Sequence, residues 1–162
     1  MNSKPPASRS ARASRCPRGR FTPTHYAAIH RHLFQDVYPW AGRYRTVRMS
    51  KDGSPFCYPE NIAAQMRQLF AWLAQNDRLR GRDAEGFADG AAEFLAWLNA
   101  IHPFREGNGR TQLTFMTELA AEAGHPLDMT HLDPDGFLQA MIASFFGDEA
   151  PLRQHLRNLA TA

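Results

Sequence analysis

Residues 102–110 read His-Pro-Phe-Arg-Glu-Gly-Asn-Gly-Arg, and most of their polar members find a use if a polyphosphate binds among them. Gly107, Asn108 and Gly109 at a helix start would present free backbone N–H groups and the positive end of the helix dipole, a nest for an anion. Glycine lets phosphate approach closely, and asparagine tolerates left-handed backbone while donating from its amide. Arg110 is poorly placed for the dipole in a first helical turn, a cost that makes sense if it grips a phosphate oxygen. Glu106 would repel a bare phosphate, and a bridging Mg²⁺ reconciles the two, because one carboxylate plus phosphate oxygens and waters is a usual magnesium shell. His102 can act as general base for an incoming hydroxyl. The chemistry implied is attack of a hydroxyl on a nucleotide phosphate. Singly, each residue has an ordinary reading: a histidine at a helix end, a solvated glutamate, a Gly-Asn-Gly turn. It is their conjunction within nine residues that points to a site.

Such a segment needs a helix on each side. Phe87, Ala91, Phe94, Leu95, Leu98 and Ile101 mark a helix that must stop at or just before His102, since Pro103 disfavours helix in the residue before it. The next helix is expected from about Arg110 to Ala123, closed by Gly124 and Pro126. Upstream, Tyr26, Ile29, Leu33 and Val37 form an apolar stripe from Thr24 that Pro39 ends, and Ile62, Met66, Leu69, Phe70 and Leu73 mark another helix. Between them Thr46–Ser50 alternates like a short strand, Asp52-Gly53 signals a hairpin turn and Ser54–Cys57 could return, which predicts a two-stranded flap. Asp133 or Asp135 can cap a helix carrying Phe137, Met141, Ile142 and Phe145, and Pro151 can open a last one to Leu159. The expectation is an all-α domain with one hairpin and no internal repeat.

With 162 residues, 43% hydrophobic and 22% charged, the chain fits one domain able to close its own core. The net charge of +3 and a pI near 9.2 raise nucleic acid as a partner, but six basic residues and no acid fall within residues 1–20. The remaining 142 residues hold 13 basic against 16 acidic side chains. Nucleic acid is therefore not expected to be the partner of the body. Residues 1–20 lack aromatic and branched aliphatic residues and are expected to form a disordered basic tail, with residues 21–162 as the domain. No window reaches the roughly 18 apolar residues of a membrane span, and the N-terminus lacks a secretory apolar stretch. Cys16 and Cys57 make neither a disulfide framework nor a CxxC site. A cytoplasmic protein without membrane contact is expected. His25, His30 and His32 have a spacing that matches no usual zinc pattern, and helix packing is the better reading.

HPFREGNGR resembles the signature of the Fic (filamentation induced by cAMP) family, His-x-Phe-x-Asp/Glu-Gly-Asn-Gly-Arg, and YPWAGRYRTVRMSKDGSPF resembles that family's approach to its β-hairpin flap. Roughly residues 21–160 are covered by the likeness. It implies the all-α Fic-fold helical bundle with its flap, and the activity of a protein adenylyltransferase, moving AMP from ATP to a Ser, Thr or Tyr hydroxyl of a target protein. On this resemblance His102 is the base, Glu106 holds Mg²⁺, Gly107, Asn108 and Gly109 form the anion hole, and Arg110 binds distal phosphates. The flap, about Val47 to Phe56, would dock the target by strand-like pairing, and Lys51 at its turn would touch nucleotide or target.

Family members that transfer nucleotides typically continue as GNGRxxR, whereas this chain reads GNGRTQL and has Leu113 in the second arginine's place. Weaker ATP orientation, a different nucleotide donor, or a Fic-like module with little catalysis would each follow. The family's inhibitory Ser/Thr-x-x-x-Glu-Gly/Asn segment is also missing: the Glu-Gly/Asn pairs at 60, 85 and 106 are preceded, four residues earlier, by Phe56, Gly81 and His102. The resemblance then implies either the toxin of a toxin-antitoxin pair, restrained by a separate small antitoxin that supplies the inhibitory glutamate, or a protein in which Leu113 makes that style of inhibition unnecessary.

Overall fold

The structure, a computed structural model, describes residues 16–161. Its organising element is a helix buried on most of its circumference, α3 (Ala84–Ile101), whose Phe87, Ala88, Ala91, Ala92, Phe94, Leu95, Leu98 and Ile101 are all buried. A helix apolar on so many sides must be covered by others. It packs against α2 (Pro59–Gln75), α4 (Asn108–Ala123), α5 (Pro134–Phe145) and α6 (Ala150–Leu159), while α1 (Pro23–Phe34) lies on α4 and α2. Short 3₁₀ turns at Asp77–Leu79 and Met129–His131 complete the helical content. Asp83 and Asp133 cap α3 and α5, accepting from Gly86 and Gly136 N–H at 2.8 and 3.2 Å.

Tyr26, Phe70, Phe94 and Phe115 pack at centroid distances of 5.5–6.1 Å where α1, α2, α3 and α4 meet, edge-on or tilted except for the stacked pair Phe94 and Phe115. Phe104, from the chemistry-bearing loop, is fully buried and stacks on Tyr26 at 5.9 Å and on His30 at 3.7 Å. The loop is thus fastened to the core by its own aromatic residue, whose burial contributes roughly 2–3 kcal/mol.

Two sequence expectations need correction. Helix α1 ends at Phe34, and Val37 is 65% exposed rather than part of the apolar stripe. The N–H groups of Val37 and Tyr38 both bond the Phe34 carbonyl, turning the chain so that the Tyr38 ring stacks on Trp40 at 4.4 Å. The hairpin is shorter than its alternation suggests, with β1 (Ser50–Lys51) pairing antiparallel to β2 (Ser54–Pro55) across the Asp52-Gly53 turn. One further bond, Phe56 N–H to the Met49 carbonyl at 3.0 Å, closes the ladder. Beyond it the carbonyls of Val47 and Cys57 are taken by the Arg45 guanidinium instead of by N–H groups of the opposite arm.

Most of the expected basic tail, residues 1–15, lies outside the described residues. Its last part is irregular chain that already packs: Cys16 lies against the core, and the Pro17 carbonyl bonds His25 Nε2 at 2.9 Å. Burial and the neighbouring Glu118 carboxylate raise the Cys16 thiol pKa to about 12, so it stays protonated.

Candidate active site

The loop between α3 and α4 is shaped by three residues that differ in what they are needed for. His102 ends α3 in left-handed conformation (φ 49°), its N–H still bonded to the Leu98 carbonyl at 2.9 Å. Gly107, also left-handed (φ 84°), precedes α4, and a Cβ there would stand 2.4 Å from the Phe34 ring. Both the backbone and the space therefore demand glycine. Asn108 opens α4 with its side chain buried. Its Oδ1 accepts from Phe104 N–H at 3.1 Å and its Nδ2 donates to the Phe104 carbonyl at 2.7 Å. The buried Asn108 amide thus closes the loop on itself, a structural task that the sequence reading did not assign to it.

Helix α4 begins without a side-chain cap, and the first N–H that finds an intrahelical acceptor is that of Thr111, bonded to the Gly107 carbonyl at 3.1 Å. The N–H groups of Asn108, Gly109 and Arg110 are left pointing out of the helix. No atom lies within 4 Å of where a Gly109 Cβ would be, so packing does not require this glycine. What its missing side chain leaves is open space in front of the helix N-terminus, the room an anion needs.

His102, Gly109, Arg110 and Leu113 line one cleft of about 270 Å³, walled on the far side by Leu132, Pro134, Phe137, Leu138 and Met141. Sequence reasoning placed His102, Gly109 and Arg110 in the site and put Leu113 where relatives carry a second arginine, but the apolar wall was not anticipated. Leu113 is half-buried in the cleft beside that wall. Arg110 is exposed, its guanidinium 5.2 Å over the Phe34 ring. The His102 ring stacks on Phe56 at 4.0 Å, so it leans on the returning arm of the hairpin. Its Nδ1 is buried, with no well-formed hydrogen bond among the described residues and the Asn99 carbonyl nearby, and the residue lines the cleft. Burial, then the nearby positive charge of Arg45, lowers the His102 pKa to about 4, with the Asn99 carbonyl pulling the other way. At neutral pH the ring is uncharged and can accept a proton.

Glu106 lines a different hollow, between the Tyr38 and Trp40 rings and the outgoing hairpin arm at Val47 and Met49. Its carboxylate is exposed and enters no hydrogen bond or ion pair among the described residues, where no cluster of three metal-ligating side chains occurs either. A single free carboxylate beside an anion nest fits Mg²⁺ completed by phosphate oxygens and water. Lys51 is exposed at the end of β1, and no hydrogen bond or ion pair joins it to residues 102–110.

Two buried residues that sequence reasoning did not place here hold the loop. His30 Nε2 meets the Glu106 carbonyl at 2.9 Å while its Nδ1 accepts from Gly42 N–H at 2.9 Å. It is a packing histidine, its pKa lowered by burial. Its signal was its position one turn from Tyr26 on the buried stripe. Arg45, 3% exposed, donates to the carbonyls of His102, Val47, Cys57 and Ile101 at 2.7, 2.7, 2.5 and 3.1 Å.

The sequence profile of the Fic/DOC family matches residues 20–120. Among known proteins the chain is 56% identical over 136 residues to the "Probable protein adenylyltransferase y4lH" of Sinorhizobium fredii, covering 83% of this chain and 71% of that protein. It is 42% identical over 130 residues to the protein adenylyltransferase VbhT of Bartonella schoenbuchensis, covering 80% of this chain and 27% of that longer protein. Among solved structures, BepC from Bartonella tribocorum with bound AMPPNP superposes with a TM-score of 0.80 at 27% identity, over 94% of this chain and 80% of that one. An N-terminal Fic domain from Bartonella quintana with bound ADP gives 0.82 at 26% identity, over 94% and 78%. By sequence, fold and the architecture of the loop at 102–110, the chain belongs to the Fic/DOC family.

Proposed function

We propose that this chain is a protein adenylyltransferase, transferring AMP from ATP to a hydroxyl of another protein. One observation carries the reading: an uncharged, partly accessible His102 and the uncapped N-terminus of α4 at Gly109 open onto the same cleft. The relatives' names as adenylyltransferases, and the AMPPNP and ADP bound to two similar structures, support it.

In the reaction the acceptor oxygen attacks the α-phosphorus. A new O–P bond forms, the bond from the α-phosphorus to the bridging oxygen breaks, and pyrophosphate leaves. His102 takes the hydroxyl proton at Nε2. The N–H groups of Asn108, Gly109 and Arg110 hold the α-phosphate oxygens on which charge builds, and the Arg110 guanidinium reaches the distal phosphates. Glu106 would hold Mg²⁺, which when bound supplies charge neutralisation on the phosphates. The apolar wall of Leu132, Phe137, Leu138 and Met141, with Leu113, suits the nucleoside. The acceptor chain is seated along residues 47–56, where the exposed edge of the hairpin can pair with an extended segment. Restraint of the enzyme falls to a separate small protein that brings an inhibitory glutamate.

The test uses ATP labelled at the α- or the γ-phosphate, with Mg²⁺ and bacterial lysate. Label in protein from α-labelled but not γ-labelled ATP is expected, absent with His102→Ala. Label from the γ position would instead show phosphorylation.

A further inference from the structure

Buried arginines usually meet a carboxylate, whereas the four acceptors of the Arg45 side chain are all backbone carbonyls. They belong to three stretches of chain: Val47 on the outgoing hairpin arm, Cys57 on the returning arm, and Ile101 and His102 at the end of α3. The last two are orphan carbonyls at the negative end of a helix, where a cation is favoured. Arg45 N–H also bonds the Pro103 carbonyl at 2.8 Å, and Cys57 N–H bonds the Ala100 carbonyl at 3.0 Å. The hairpin base and the backbone of the base residue are thereby one hydrogen-bonded unit.

We infer that Arg45 is a positioning residue of the reaction: through its guanidinium the surface that seats the acceptor and the histidine that takes the acceptor's proton are held in one register. The inference rests on the transfer reading for its catalytic consequence. The geometry explains why one residue is needed for both tasks. The His102 ring leans on Phe56, which follows β2, so a shift of the returning arm would carry the ring with it. Fixing Cys57 and the His102 carbonyl to the same planar fork prevents that shift, and lysine, with one rotating ammonium, cannot span three stretches of chain. Arg45 also places a charge beside His102. The charged group acting on the ring is Arg45; Arg110 lines the same cleft with its guanidinium over Phe34, and the half-buried Cys57 thiol faces Arg45 from the hairpin.

Arg45→Lys and Arg45→Met separate geometry from charge. In protein labelled with ¹⁵N-histidine, the Arg45→Met imidazole of His102 is expected to titrate higher by on the order of one pH unit, with Arg45→Lys close to wild type. Amide exchange at Phe56 and Cys57 should speed up about tenfold or more in both. Affinity for MgATP should stay within about threefold, while AMP transfer to lysate protein at saturating ATP falls on the order of 100-fold. Arg45→Lys with wild-type transfer and wild-type amide exchange would overturn the inference. So would loss of MgATP affinity in proportion to transfer, the mark of a merely structural role. If Arg45→Met does not fold, Arg45→Lys decides by the same exchange and transfer readouts. A wild-type protein that transfers no AMP would sink the transfer reading, and the titration and exchange would still decide whether Arg45 holds His102 and hairpin together.

Discussion

The Arg45 guanidinium and the His102 carbonyl, 57 residues apart in sequence, meet at 2.7 Å. That bond joins the segment before the hairpin to the end of the helix that delivers His102. Its neighbours explain the state of His102: a ring stacked on Phe56, largely withdrawn from water, with a cation nearby and the cleft beside it. Such a histidine is unprotonated at neutral pH, the state that the proposed transfer to a protein hydroxyl requires.

The pH profile should show it. The acid limb of kcat/KM in transfer is expected well below pH 6.5, because the His102 pKa is lowered to about 4. A limb at or above 6.5 would mean that the ring is not held as described.

Stability should fall with acid in the same range. The folded pKa of His102 lies below its unfolded value, so the unfolded chain takes up the proton first and stability is lost as pH drops from 6.5 towards 4. The contribution is on the order of 3 kcal/mol at most. His30, also lowered by burial, acts in the same direction. Denaturation at pH 7.5 and 5.0 should show a smaller difference in His102→Ala than in wild type.

Gly107 and Gly109 should separate cleanly. Gly107→Ala meets both left-handed backbone and the Phe34 ring, and should destabilise by more than about 1–3 kcal/mol. Gly109→Ala meets nothing and should leave the melting temperature unchanged or slightly raised while weakening MgATP binding. Calorimetric melting and binding measured on both variants would check the contrast.

Asn108→Ala should behave as a folding mutation. It leaves the buried N–H and carbonyl of Phe104 without partners, at a cost of about 2–4 kcal/mol. Urea denaturation should show that loss without any ligand present.

Glu106→Gln should do the opposite. The exposed carboxylate has no partner to lose, so urea stability should be unchanged, and the Mg²⁺ concentration needed for transfer should rise about tenfold or more. An unchanged Mg²⁺ requirement would remove Glu106 from the metal.

Much of this site was legible from residue types over a short span. The helix boundary before Pro103 and the core role of Phe104 follow from local chemistry, and the apolar spacing located the helices around them, whereas the Phe34 ring that excludes a side chain at Gly107 comes from another helix. What could not be read depends on chain topology. Arg43, Arg45 and Arg48 look alike in AGRYRTVR, and only the packing of the hairpin base onto the end of α3 makes the middle one buried. The Asn108 amide could equally have served a ligand, until Phe104 is seen to occupy both of its ends. The shortened hairpin has the same origin, since carbonyls that would have continued its ladder bond Arg45.

The central claim is that His102 accepts the proton while AMP passes from ATP to a protein hydroxyl. Intact-mass analysis of lysate proteins after incubation with this protein and MgATP tests it most directly. One acceptor should gain the mass of a single adenylate, with no gain under His102→Ala. No mass gain with the wild-type protein, or an equal gain with His102→Ala, would contradict it.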